Sequence, residues 1–473
     1  VITKFYIEVK GLLCGGDSSM NLKPKVGFMP VSHKTFLSEA SKKLTDKVFE
    51  NLQKLNMDLV RTDYVLDEPQ ARVVAKKLLS QDDVDMIIYF TASWMEAPVV
   101  VRAINESHLP AVVWGVPDAI SLSLVGAHEV AESLDEMGIE FLFVFGQPDS
   151  KKWLRRIEVR ARAAAVLKEL KRARIGIVGA SPTMGMYSAT YDHIALRQII
   201  GPEVFHIDTS TLISEADKIT DEEAEKAMKQ IVESATKIHV AKKTLYKSFK
   251  LALALQKLIK KYDLNAVSVK CHPELSQFYG SSACVANSLA IDLGIPVSCE
   301  GDVNNAVSMF ILQRLTGNPA FFHEYTTLDE KENVALVNHC GAGATKLATS
   351  LKDIGLTTFP EGVAIEEEGG VTGTILDFWV KPGKATIARL GGRNNTYRMH
   401  IAPAELLTPT EKQKKADTPL GYEGVARGLI KVKNIEQFMK DTIAHHQAMA
   451  HGDVREELYE LCTMLGIPTI RSE

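Results

Sequence analysis

The sequence predicts an α/β protein built from two doubly wound parallel-sheet domains followed by a β-rich, barrel-like C-terminal domain. Three observations carry this. Short apolar runs, among them Asp85–Phe90 (DMIIYF) and Pro110–Trp114 (PAVVW), alternate with helix-length amphipathic stretches. The alternation begins again at Arg174–Gly179 (RIGIVG), so there are two such units. After about residue 345 the texture changes to short strand patterns separated by glycine and proline turns, the mark of antiparallel β structure.

In order, Lys25–Met29 (KVGFM) is the first expected strand, and Leu37 to Leu55 follows with apolar residues at helical spacing. Val60 lies in a second strand, Asp67 to Leu79 reads as a helix, and the strand Asp85–Phe90 ends in Thr91, Ala92, Ser93 and Trp94. Pro98 to Ile104 is helical, and Glu140–Phe145 (EFLFVF) closes the first Rossmann-like unit, residues 1–172. A long basic helix over Lys151 to Lys171 reads as a solvated face on a connecting helix, because its apolar residues keep helical spacing. In the second unit, residues 173–345, the turn Ala180–Tyr187 is glycine-bearing without the GxGxxG of a dinucleotide site. Thr220 with Glu223 forms a capping box for a helix expected to reach Ile238. Ala266–Cys271 is a strand with Lys270 near its end, and a helix from Ser281 stops at the C-cap Gly294. In the third domain, residues 346–473, Gly369–Gly373, Thr374–Val380, Lys384–Leu390 and Thr396–Ile401 read as strands. The C-terminal part adds helices Ile435 to His445 and Arg455 to Gly466.

The totals exclude several classes. A net charge of -4 and a pI near 6.4 give no electrostatic case for nucleic acid or an anionic membrane. Six scattered cysteines without a CxxC pair argue against a disulfide framework and fit a reducing, cytoplasmic setting. No apolar run approaches the ~20 residues of a membrane span. The opening VITKFYIEVKGLLCGGDSSM carries Lys4, Glu8 and Lys10 and reads as an extension ahead of the first strand, not as a signal peptide.

The chemistry concentrates in Ile295 to Tyr325. A short strand ends in Glu300, a helix over Val303 to Leu315 follows, and Glu324 arrives after the apolar run Ala320 to Phe322. Two acids at the carboxyl ends of neighbouring parallel strands can share a divalent cation or divide acid–base work. Taken singly, each acid reads more readily as solvated or capping, with Asp302 a ready N-cap for the helix, and only the pair brings the functional reading level. Ala444 to His451 (AHHQAMAH) holds three of the thirteen histidines, with poor spacing for chelation on one helix, so helix-end histidines are the plainer reading. His339 ends an apolar strand and serves equally well as a core histidine. Lys270 suits a polar or anionic substrate contact, because a buried lysine without a role is costly. Trp94, Met184 and Met186 line a pocket or simply pack.

The run EGDVNNAVSMFILQRLTG with the later FFHEYT resembles the metal-binding core of the L-fucose isomerase and L-arabinose isomerase superfamily. The stretch HHQAMAHGDVREELYELCTMLGIP resembles that superfamily's C-terminal segment. The resemblance implies a divalent cation, Mn²⁺ by family, held by Glu300, Glu324 and His446. It gives the two glutamates a second role as acid–base groups in aldose–ketose isomerisation of an L-fucose- or L-arabinose-type sugar. His339 matches a further histidine of arabinose isomerases and becomes a fourth ligand or a substrate contact. The turn ASPTMGMYSATYD, with Met184, resembles a loop that approaches the sugar, and TASWM, with Trp94, a segment that reaches a neighbouring subunit's site. Lys270 stays a substrate contact, and a homo-oligomer, hexameric in the family, is implied. Two alternatives remain open from the residues: a non-catalytic sugar-binding or regulatory homologue, and a metal-dependent aldolase or dehydratase.

Overall fold

A computed structural model describes residues 22–180, 185–340, 343–358, 372–414 and 424–473. Contacts divide them into two units: Leu22–Glu169 with Glu456–Gly466, and Leu170–Arg455 with Ile467–Glu473. The expected opening extension and the strand at Gly369–Gly373 lie wholly or largely outside the described residues.

In the first unit, β1 (Lys25–Val31), β2 (Asp58–Arg61), β3 (Met86–Thr91), β4 (Ala111–Gly115) and β5 (Phe141–Phe145) form a parallel sheet in the order β2-β1-β3-β4-β5. β1, β3 and β4 are buried almost throughout, which is why they read as continuous apolar runs. The helices start where the sequence supplies caps: Ser38 accepts from the Ser41 amide and Asp67 from the Gln70 amide. The basic helix, Lys151–Arg172, is less solvated than its composition suggests. Arg160 is 1% exposed and pairs with Glu140 at 2.6 Å and Glu460 at 3.1 Å, while Arg162 meets Glu457 at 3.2 Å. Those partners on Glu456–Gly466 come from the far end of the chain, so spacing within the helix cannot reveal them.

The second unit continues the alternation with β6 (Arg174–Val178), β7 (Glu203–Ile207), the short β8 (Ile238–His239), β9 (Ala266–Val269) and β10 (Val297–Cys299). Four of these make a second parallel sheet in the order β10-β9-β6-β7. The capping box at Thr220 and Glu223 is present, although its helix stops at Ser234 and Ile238 enters β8. The remaining strands are β11 (Phe321–Asp329), β12 (Val334–His339), β13 (Gly355–Thr357), β14 (Ile375–Trp379), β15 (Gly383–Arg393), β16 (Thr396–Leu407), β17 (Ala426–Lys431), β18 (Gln447–His451) and β19 (Thr469–Arg471). With β8 they form a ten-stranded mixed sheet that takes strands from both sides of residue 345. β16 also pairs with β17, so β16, β15, β18, β11, β12 and β17 close a circuit of hydrogen-bonded neighbours.

The helix Val303–Thr316 joins the two sheets of this unit. Nearly every residue on it is buried, because it packs on β9 and β10 as well as on β15 and β18. Two of its polar side chains tie it to its surroundings: Ser308 Oγ accepts from the Leu390 amide at 2.8 Å, and Asn304 donates to the Thr190 carbonyl at 3.0 Å. Gly317, at φ 67°, ends it in the left-handed conformation expected of a C-cap. Its N-terminus is thereby fixed at the carboxyl edge of the parallel sheet, where ligands of such sheets bind.

Candidate active site

Glu300 follows β10 directly and sits at φ 62°, with Gly301 at φ 75°. A left-handed non-glycine residue costs about 1–2 kcal/mol, a strain that tends to persist where a side chain must be aimed. Here the turn directs the Glu300 carboxylate back over the sheet edge, while its amide still donates to the Val269 carbonyl at 2.8 Å. Oε2 lies 3.1 Å from His446 Nε2, and Oε1 lies 3.9 Å from His339 Nε2.

Asp302 fixes the histidine. It is fully buried and caps the helix by accepting from the Asn305 amide at 3.0 Å. The same carboxylate receives Arg389 from β15 at 2.9 Å and lies 3.1 Å from His446 Nδ1. Arg389 also donates to the Ser188 carbonyl at 3.1 Å. If Asp302 takes the Nδ1 proton, His446 Nε2 presents its lone pair toward Glu300 Oε2. Both atoms are buried, and despite their 3.1 Å separation neither has a hydrogen-bond partner. Two lone pairs held face to face in a buried site call for a cation between them. Donor atoms of Glu300, His445 and His446 lie within 4.8 Å of one another, and this carboxylate–imidazole set fits a divalent ion.

The electrostatics agree with that arrangement. Burial works against the charge of Asp302, but Arg389 and His446 outweigh it and hold the carboxyl below the usual aspartate value. Burial likewise opposes ionisation of Glu300, and His446 and His339 lower its pKa overall. For His446 burial disfavours the imidazolium, yet Asp302 and Glu300 raise its pKa above the ordinary value.

The other predicted residues fall in different places. Glu324 is not at a parallel strand end. It lies within β11, which pairs antiparallel with β12 and β18, so it stands on the mixed sheet and not on the parallel sheet's edge, and its charge acts on His339 beside Glu300. It lines a cavity of about 380 Å³ with Ser188, Tyr325, Thr442 and His445, outside the Glu300 cluster. The cause is local: Phe321–Asp329 is one strand of nine residues, not a short run ending at the acid. His339 ends β12 and does join Glu300, with Phe322 packed edge-on at 4.6 Å between ring centroids. Burial opposes its charge, but Cys340, Glu300 and Glu324 push its pKa up to about 9. Lys270 pairs with Glu274 at 2.6 Å, which answers the cost of its burial without a ligand. In the first unit, Trp94 packs with His33 and Phe36. Met184 lies outside the described residues. His446 precedes a strand, β18, where a helix end was expected, and His451 is spent on the Lys381 carbonyl at 3.0 Å.

Sequence reasoning saw Asp302 only as a cap, set His445 aside in favour of His446, and missed Arg389 and Ser188. A cap that is also a charged residue beside a candidate ligand was the available signal for the first. Nothing local marks Arg389, whose partner lies 87 positions away in the chain.

A buried carboxylate–histidine cluster on the carboxyl edge of a parallel sheet, walled by a mixed sheet, marks an α/β protein whose site holds residues able to ligate a metal ion. Residues 337–472 match the family model of the L-fucose isomerase C-terminal domain. A sulfoquinovose isomerase from Clostridium sp. (strain MSTE9) is 30% identical over 354 residues, covering 72% of this chain and 74% of that protein. Sulfoquinovose isomerases from Priestia aryabhattai and Alkalicoccus urumqiensis are 26% and 24% identical, over 93% and 94% of this chain and 98% and 99% of theirs. The chain belongs to the L-fucose isomerase-like family and is an aldose–ketose sugar isomerase. Among the described residues no helix is long and apolar enough to cross a membrane.

Proposed function

We propose that the chain isomerises an aldose with the help of a divalent cation, Mn²⁺ by family resemblance, held by Glu300 and His446 with His445 or His339 beside them. The observation that carries this is the buried, unpartnered pair Glu300 Oε2 and His446 Nε2. Such a cation, when bound, polarises the sugar carbonyl and acidifies the neighbouring C–H. The protein then divides the remaining work. Glu300, whose pKa is lowered, acts chiefly as an anionic ligand. Glu324, on the cavity wall next to Ser188 and His445, is the carboxylate that takes a proton from one carbon and returns it to the neighbouring carbon or oxygen through an ene-diol. Arg389 and Asp302 hold His446 in orientation. The closed circuit of six strands serves as a small barrel that brings Arg389, Glu324, His339 and His446 to bear on Glu300. A homo-oligomer in which Trp94 contributes to a neighbour's site, and a cytoplasmic setting, belong to the same reading by family resemblance.

Two substrate classes are in view. The described residues lining the cavity include no lysine or arginine, which favours a neutral deoxy-hexose or pentose of the L-fucose or L-arabinose type. The three relatives favour sulfoquinovose, a sugar bearing an anionic sulfonate. A panel of these aldoses incubated with Mn²⁺ and assayed for ketose decides between them. Ketose is expected from at least one sugar, lost with a chelator and restored by Mn²⁺. Binding of sugar without any ketose would instead support a regulatory homologue, and cleaved or dehydrated products an aldolase or dehydratase.

Because Asp302 and Glu300 raise the His446 pKa, protons compete with a metal for its ring nitrogen. Mn²⁺ affinity is expected to weaken as the pH falls and the imidazole takes up a proton. Mn²⁺ titrations over a series of pH values read this directly, and an affinity that does not change with pH contradicts the assignment.

A further inference from the structure

Glu300 presents its two oxygens to two different groups. Oε2 faces His446, and Oε1 faces His339 Nε2 at 3.9 Å. On the His339 side the donor set changes character: Cys299 Sγ, Glu300 Oε1 or Oε2, and a His339 ring nitrogen lie within 4.8 Å of one another. His339 Nδ1 is engaged at 3.7 Å by Cys340 Sγ, which leaves Nε2 for the carboxylate side. Cys271 Sγ lies 3.6 Å from Cys299 Sγ, and both thiols are buried, at 7% and 1% exposure.

These distances suit one kind of ion. A tetrahedral cation bound by sulfur at about 2.3 Å and by nitrogen or oxygen at about 2.0–2.1 Å holds its donors about 3.3–3.8 Å apart. The two sulfurs already stand at that spacing, and the imidazole–carboxylate pair is only slightly wider. Sulfur with imidazole selects Zn²⁺, Cd²⁺ or Co²⁺ over Mn²⁺ or Mg²⁺.

We propose a second cation site, for a thiolate-seeking ion such as Zn²⁺, formed by Cys299 Sγ, Glu300 and His339 Nε2, with Cys271 Sγ at its edge. It shares the Glu300 carboxylate, and His339 wherever that histidine serves the catalytic cation, and adds the Cys299 sulfur. Zn²⁺ bound there draws Glu300 toward His339 and away from His446, so it inhibits the isomerase even when Mn²⁺ is in excess. The site goes beyond the isomerase reading and stands or falls by the Cys299 sulfur.

The test uses the full chain stripped of metal. Titration with Co²⁺ alone is expected to give a thiolate-to-cobalt charge-transfer band in the near ultraviolet, displaced by Zn²⁺ and unaffected by Mn²⁺. Cys299→Ser is expected to abolish the band, while His446→Gln keeps it and loses Mn²⁺ affinity instead. Cadmium NMR on the unaltered chain needs no variant to fold, and a resonance in the sulfur-ligated range is expected. No charge-transfer band together with a cadmium resonance typical of oxygen and nitrogen ligands overturns the site. A band that survives in folded Cys299→Ser overturns it as well. Loss of the isomerase reading shows up separately, as Mn²⁺ affinity that is indifferent to His446→Gln.

Discussion

Glu300→Gln is expected to lower kcat/KM by roughly a thousandfold or more, equivalent to about 4 kcal/mol of transition-state stabilisation, and to abolish tight Mn²⁺ binding. The substitution keeps the shape and the φ 62° turn but replaces an anionic donor with a neutral amide. The fold tolerates it, because the amide can donate to His446 Nε2, the atom that has no partner in the unaltered chain. A melting temperature within a few degrees of the parent therefore accompanies the loss of activity. Full isomerase activity in Glu300→Gln would sink the site assignment. Glu324→Gln separates the two carboxylates. It too should be nearly inactive, yet Mn²⁺ affinity should stay within a few-fold of the parent, since Glu324 stands outside the donor cluster. If both variants lose metal equally, the two acids form one ligand set, as the resemblance implied, and the division of labour proposed above is wrong.

The α/β class and the parallel sheets were legible because buried strands leave continuous apolar runs and caps leave Ser, Thr, Asp and Gly at fixed offsets. The helix after Glu300 was legible for the same reason, from Asp302 at its start to Gly317 at its end. What escaped depended on distant pairing. Phe321–Asp329 reads as a short run because a β-bulge between Tyr325 and Thr327 and polar outer residues break its pattern. AHHQAMAH looks like a helix end because alanine, methionine and glutamine favour helix, yet β18 is held between β11 and β15 and tertiary pairing overrides propensity. The site shows the same division. Glu300 and His446 could be named from local motifs and resemblance. The structure alone gives Arg389 and shows that Lys270 is already satisfied by Glu274.

Asp302→Asn isolates charge from geometry. Asparagine is as good an N-cap as aspartate, so the bond from the Asn305 amide survives. The negative charge does not, and Arg389, with no exposed surface, is left as an uncompensated buried cation. Breaking a buried pair in this way costs about 3–5 kcal/mol, read as a lower urea midpoint at unchanged slope. The effect on the metal follows from the other oxygen. An amide facing His446 Nδ1 as a donor leaves the proton on Nε2, the nitrogen that must offer its lone pair toward Glu300. Metal affinity should fall by about 10–100-fold, the usual consequence of losing a partner that orients a ligating histidine. Adding Arg389→Met to Asp302→Asn removes the stranded cation and should restore much of the stability without restoring affinity. A purely structural role for Asp302 predicts the opposite pairing, with affinity recovering as the fold recovers.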